Sequence, residues 1–182
     1  MVAYVAFLRA INVGGRFVKM ADLRAGLSNN GFGDVETYIQ SGNLRFTSSL
    51  RSTAGVERAL ETALEELCGF TVRTIVRTPA QLGELTAYGM GLAAPPEPSL
   101  GADARRYVTF LKENADDDLM TRMNEWDVLG ERAQVRGKEI YIWFGHPSHE
   151  AKLTNARIER GGVVATTRDW KVVSALAEKW GA

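Results

Sequence analysis

Twice along this chain, short apolar runs of strand length and segments of helical spacing follow one another in the same order: strand, helix, strand, strand, helix, strand. That order leaves few folds open, because two crossovers returning to one sheet specify a split βαβ plan. In the first half, residues 3–8 form an apolar run with Val5 and Phe7 on one face. Met20, Leu23 and Leu27 recur at helical spacing until Asn30 and Gly31 offer a stop. Residues 34–40 then read as a strand with Val35, Thr37 and Ile39 on one face, and residues 44–47 as its hairpin partner across the Ser41-Gly42-Asn43 turn. Ser52 or Thr53 can cap the next helix, whose stripe is Val56, Leu60, Ala63, Leu64 and Leu67 and whose stop is Gly69. A strand over 72–77 closes the unit at Pro79.

The second half repeats the order without a residue-level repeat. A strand at 106–111 precedes a helix at 116–127 that buries Leu119, Met120, Met123 and Trp126. Residues 133–136 and 139–144 form a hairpin on the two-residue turn Gly137-Lys138. A helix at 152–160 ends at Gly161-Gly162, a strand follows at 163–166, and a last helix runs 168–180 with Trp170, Val173, Leu176 and Ala177 on one stripe. The expected fold class is therefore α+β: two ferredoxin-like (βαββαβ) α/β plaits packed together. The expected halves are residues 1–78 and 105–182. Residues 79–104 are expected to link them, with a short helix at 81–88 and a Gly- and Pro-rich stretch at 89–101.

Composition narrows the function classes. Hydrophobic residues are 45% of the 182, enough for a sizeable core. The 22 basic and 22 acidic side chains cancel, which removes the general electrostatic argument for nucleic acid or an anionic membrane surface. Cys68 is the only cysteine, so no intramolecular disulfide forms. The N-terminal segment lacks the basic stretch of a secretory signal, and no apolar run nears the roughly 18 residues of a membrane span. The expectation is a cytoplasmic protein without membrane attachment, monomeric or homodimeric, with Trp170, Val173 and Trp180 as candidates for a dimer contact.

Four segments carry a family likeness. They are residues 4–15, with Leu8-Arg9 and Ile11-Asn12-Val13-Gly14-Gly15, followed by Met20-Ala21-Asp22-Leu23; Thr37-Tyr38-Ile39-Gln40-Ser41-Gly42-Asn43; Lys152-Leu153-Thr154-Asn155; and Thr166-Thr167-Arg168-Asp169-Trp170. Together they resemble the bacterial family called domain of unknown function 1697. The resemblance spans nearly the whole chain. It implies two ferredoxin-like plaits and brings no established activity with it. The chain departs from the family pattern at Asp169 and Val172, where Asn and Thr are usual, and between Tyr88 and Pro98, which lacks an Asn-Pro-Phe-like segment.

These motifs gather uncharged polar groups, glycines and cations at the ends of elements. Asn12, Gly14 and Gly15 lie between a strand and a helix, flanked by Arg9 and Lys19; such a turn can aim backbone N–H groups at an anion, or serve only as a turn. The chain has neither the full phosphate-loop pattern nor the dinucleotide fingerprint. Gln40, Ser41 and Asn43 offer donors and acceptors beside a hairpin turn that also accounts for them. Thr167 and Arg168 would stand at the start of the last helix, where a threonine cap, the helix dipole and a guanidinium fork suit a carboxylate or phosphate.

His146 and His149 are separated by Pro147, so they do not share a helical face, and no metal or organic cofactor is supported. Two function classes stay open, with enzymatic activity undecided. One is a small anionic ligand held at a cleft between the halves by these residues. The other is a nucleic-acid or protein-binding module that uses an open sheet face with Tyr38, Arg45, Tyr141 and Trp143.

Overall fold

A computed structural model describes every residue except Val13, Arg16, Ser41 and Ala182. The first plait is built from β1 (Val2–Leu8), α1 (Met20–Asn29), β2 (Gly33–Tyr38), β3 (Asn43–Ser48), α2 (Thr53–Cys68) and β4 (Thr74–Arg77). Next comes α3 (Pro79–Gly91). The second plait contains β5 (Arg105–Leu111), α4 (Asp117–Asn124), β6 (Glu131–Arg136), β7 (Glu139–Phe144), α5 (Asn155–Ile158) and β8 (Ala165–Asp169), and α6 (Trp170–Trp180) ends the chain. The two antiparallel sheets have strand orders β2-β3-β1-β4 and β6-β7-β5-β8, the same ferredoxin-like order twice. The chain divides into two compact units, Met1–Gly83 with Leu176–Ala182, and Glu84–Ala175.

Alternation along the strands builds each core. In the first unit Tyr4, Ala6 and Leu8 join Leu44 and Phe46 beneath Leu23 and Leu27 of α1 and Leu60 and Leu64 of α2. Val5, Phe7 and Ile75 point to the other face and are also fully buried. In the second unit Leu111, Ile140, Ile142 and Phe144 pack with Leu119, Met123 and Ile158. Its other face carries Val108, Phe110, Tyr141 and Trp143, all buried. There the Tyr141 hydroxyl donates to the Leu85 carbonyl of α3 (2.8 Å), and burial pushes its phenol well above the usual range. The expectation of an open sheet face with Tyr141 and Trp143 available for stacking fails for this reason: both rings are core.

The edge strands β4 and β8 are closed by carboxylates rather than by further strands. Glu57 and Glu61 of α2 accept the N–H groups of Val76 (2.9 Å) and Thr74 (2.8 Å). Glu159, just after α5, accepts the N–H of Ala165 (3.0 Å). Filling these donors removes part of the template that an edge offers to another strand.

The two plaits also share a hydrogen-bond signature at the end where the first strand hands over to the first helix. In the first, the Leu8 N–H donates to the Gly42 carbonyl (2.8 Å) and the Arg9 N–H to the Arg73 carbonyl (2.9 Å). In the second, the Leu111 N–H donates to the Lys138 carbonyl (2.8 Å) and the Lys112 N–H to the Val164 carbonyl (2.9 Å). The repetition therefore extends from element order to individual backbone bonds, with a Leu-cation pair at the same place in both.

Several element boundaries differ from expectation. Residues 81–88 belong to a longer helix, α3, which begins at Pro79, where the missing N–H costs nothing. The helix expected at 152–160 is one short turn capped by Thr154, preceded by a 3-10 turn at Ser148–Glu150. Ile39 leaves β2: its φ is +51° and it is 49% exposed, so it does not share a buried face with Val35 and Thr37. The last strand reaches Asp169, displacing the start of the last helix to Trp170. Val173 and Trp180 are buried and Trp170 is half-buried, which withdraws them as an exposed dimer contact. Among the described residues no helix is long and apolar enough to cross a membrane.

Candidate functional site

The sequence motifs of the first plait converge on one end of it. Asn12 makes the junction. Its Oδ1 accepts the Val18 N–H (2.7 Å) and its Nδ2 donates to the Gln40 carbonyl (3.0 Å), so one amide ties the β1–α1 loop to itself and to the β2–β3 turn. Gly42 completes the contact. A Cβ there would stand 2.5 Å from Ile11 Cγ2 and 2.8 Å from Leu8 Cβ, and its φ of +73° already favours glycine. Asn43 is wholly buried and donates to the Tyr38 carbonyl (3.1 Å), closing the hairpin from inside. Ser41 lies outside the described residues.

Gly14 and Gly15 have φ of +61° and +83°, and both are exposed with open space beside them. Lys19 is exposed at the head of α1 and Arg9 is half-buried. Ala10, Asn12 and Ile39 hold positive φ without being glycine, at +56°, +57° and +51°, a conformation of residual strain that three neighbours share here. Sequence reading overlooked Phe17 and Ile39, 73% and 49% exposed at this end. A strand pattern implied burial for Ile39, and nothing local marked Phe17.

The charge of this end is one-sided. Its three loops, residues 9–19, 39–42 and 69–73, contain Arg9, Arg16, Lys19 and Arg73 and no Asp, Glu or His, within a chain of zero net charge. Among the described residues, Glu61 of α2 pairs with Arg73 at 3.7 Å. The described part of this surface also carries Gln40 and the exposed side chains of Phe17 and Ile39.

Thr167 and Arg168 belong to the second unit and occupy a different setting from the one expected. Both lie in β8, and neither threonine caps the last helix. Asp169 does so, its Oδ1 accepting the Lys171 N–H (2.8 Å). Thr167 donates to Asn155 Oδ1 (2.7 Å), so the proton of its 2.7 Å contact with Thr109 comes from Thr109. Arg168 is 7% exposed and donates to Thr166 Oγ1 (2.8 Å) and the Thr167 carbonyl (2.9 Å); burial lowers its pKa to about 10. A threonine next to a strand and a helix suits either, and the ladder to β5 decided for the strand.

The Lys152-Leu153-Thr154-Asn155 motif is organised by Glu131, which sequence reading overlooked. Glu131 is fully buried; its carboxylate accepts the N–H groups of Lys152 (2.5 Å) and Leu153 (2.9 Å) and the Trp126 indole N–H (3.0 Å), with His146 Nε2 3.3 Å away. Thr154 caps α5 by accepting the Arg157 N–H, and Asn155 meets Thr167. A lone acid at the start of an alternating strand gives no sign that it faces inward. His146 is thus a partner of Glu131, stacked on Phe144, and His149 is exposed on the 3-10 turn Ser148–Glu150.

A family model described as a protein of unknown function (DUF1697) matches residues 1–141. The solved structure of the conserved bacterial protein SP0830 from Streptococcus pneumoniae is similar over 100% of this chain and 99% of that one, with a TM-score of 0.71 and 25% sequence identity. No curated protein matches the chain.

Proposed function

The chain belongs to the DUF1697 family, whose description names no activity, and from its own residues we propose that it binds a small anionic ligand, phosphorylated or carboxylated, at the loop end of the first plait. One observation carries this reading: three loops with four cations and no acid are held together by cross-loop hydrogen bonds. Arg9 and Lys19 supply charge, Gly14 and Gly15 admit close approach to the backbone, and Gln40 adds an amide at the rim. Asn12 and Asn43 position the loops and do not need to touch the ligand.

The test is titration of the ¹⁵N-labelled chain with inorganic phosphate, a phosphate monoester and a dicarboxylate. Saturable shifts centred on the Gly14, Gly15 and Gln40 amides are expected. Arg9→Ala and Lys19→Ala should each weaken binding by about tenfold, the worth of one charge-assisted hydrogen bond. Absence of saturable shifts with all three probes would refute the reading. A nucleic-acid or protein-binding module is the second reading, favoured by exposed Phe17 among the cations, since an aromatic beside basic loops suits base stacking. Saturation by a short single-stranded RNA, steeply salt-dependent, with none by the small anions would select it.

A further inference from the structure

The second plait has a cavity where its first strand hands over to its first helix. Its volume is approximately 430 Å³, within the range of small-molecule sites. The β5–α4 loop and the α5–β8 loop enclose it, and the Lys112–Val164 backbone bond joins the two segments. Its floor is apolar: Leu119 and Ile158 are 2% and 1% exposed, and Val163 lies half-buried beside them. Gly161 and Gly162, with φ of +119° and +97°, have open space where side chains would stand, so the mouth is clear.

Most of the charge on the wall is already engaged within the chain. Lys112 has a partner of its own, and its carbonyl accepts from Lys138 Nζ (3.3 Å). Asp116 caps α4, its Oδ1 accepting the Leu119 N–H (2.8 Å). Arg122 donates to Asp118 (2.7 Å) and to the Arg157 carbonyl (3.1 Å). Two wall residues of opposite charge stand apart from these, Glu113 and Arg160. Both are exposed, and among the described residues neither side chain forms a hydrogen bond or ion pair, with the other or with any third group. A simple anion on Arg160 would meet repulsion from Glu113, and a simple cation on Glu113 would meet it from Arg160. A ligand that carries both charges suits both residues. The guanidinium fork matches a carboxylate, and the glutamate accepts from an ammonium.

We propose that this cavity binds a small apolar amino acid as its zwitterion, with the carboxylate on Arg160, the ammonium on Glu113 and the side chain on Leu119, Ile158 and Val163. Lys112 has no part in holding it. The site stands on residues distinct from those of the first plait and is independent of the reading made there.

The full chain, ¹⁵N-labelled, is titrated with L-leucine and L-phenylalanine. Each is compared with two analogues that lack one charge. Leucinamide and phenylalaninamide have no carboxylate; isocaproate and hydrocinnamate have no ammonium. Saturable shifts of the Asn114, Gly161 and Gly162 amides are expected with at least one of the two amino acids. Its analogues should each bind at least about tenfold more weakly. The variants should then divide the probes. Glu113→Gln should weaken the amino acid by about tenfold without weakening the deaminated acid, and Arg160→Gln should weaken it by about tenfold without weakening the amide. Misfolding would weaken all probes together and cannot mimic that division. The proposal is overturned if neither amino acid gives saturable shifts at these amides, if an analogue binds as tightly as its parent, or if either variant leaves the parent unchanged or weakens every probe alike. The Gly14 and Gly15 amides report the first-plait site separately, so either site can fail alone.

Discussion

Asn12 joins two loops with one side chain, and its removal tests how far the loop end depends on it. Asn12→Ala deletes a donor and an acceptor, each bonded to main chain. The expected loss is about 1–3 kcal/mol in urea denaturation, with amide shifts spreading from Val18 to Gln40. Glu131 carries a larger share of its unit. Glu131→Gln keeps the size but gives up charge-assisted bonds to three N–H donors. About 2–3 kcal/mol of stability should go, and the Lys152 and Leu153 amides should lose exchange protection. Arg168 gives a pH test. Its folded pKa lies below its unfolded one, so the buried charge costs stability in full at neutral pH, and the cost fades as pH rises through about 10 toward the unfolded value. Compared with Arg168→Met by denaturation, wild type should hold a constant difference through neutral pH and gain relative stability only above about pH 10. Asn12 was visible in sequence as a turn residue tolerant of positive φ. Glu131 and the burial of Arg168 were not, because residue type says nothing of which face of a strand meets the core.

At the scale of elements, period-two and helical apolar spacing marked the strands and the helices that follow them, the last strand only at Ala165 and Thr166, since burial on one face imposes the period. Ends were less legible. The boundary between β8 and α6 depends on whether Thr167 and Arg168 take ladder bonds from β5 or cap a helix, and neither residue type decides that. Ile39 continues the alternation of β2 and is nonetheless outside it, because the turn to Gly42 requires positive φ there. The edge of β4 makes a separate prediction. Glu57→Ala removes the acceptor for the Val76 N–H. That amide should exchange faster by about tenfold, the worth of one such bond, while Phe7 in the central strand β1 keeps its protection.

Over the whole molecule, the first unit closes only when the far end of the chain returns to it. Trp180 is 3% exposed; its indole N–H donates to Glu36 (3.3 Å) and its ring meets Tyr38 edge-on at 6.3 Å. Trp180→Ala should cost about 3–5 kcal/mol, and hydrogen exchange should rise at Glu36–Tyr38, more than a hundred residues away in sequence.

Taken alone, the sequence determined the order of elements, the two plaits they make and the segments where polar groups gather, because hydrophobic period and turn chemistry are local properties. Tertiary structure alone decided which of those polar groups meet. It joined Asn12 to Gln40, gathered three acid-free loops at one end, and turned Glu131 and Arg168 inward. Such placements arise from contacts between residues distant in sequence, and no local pattern records them.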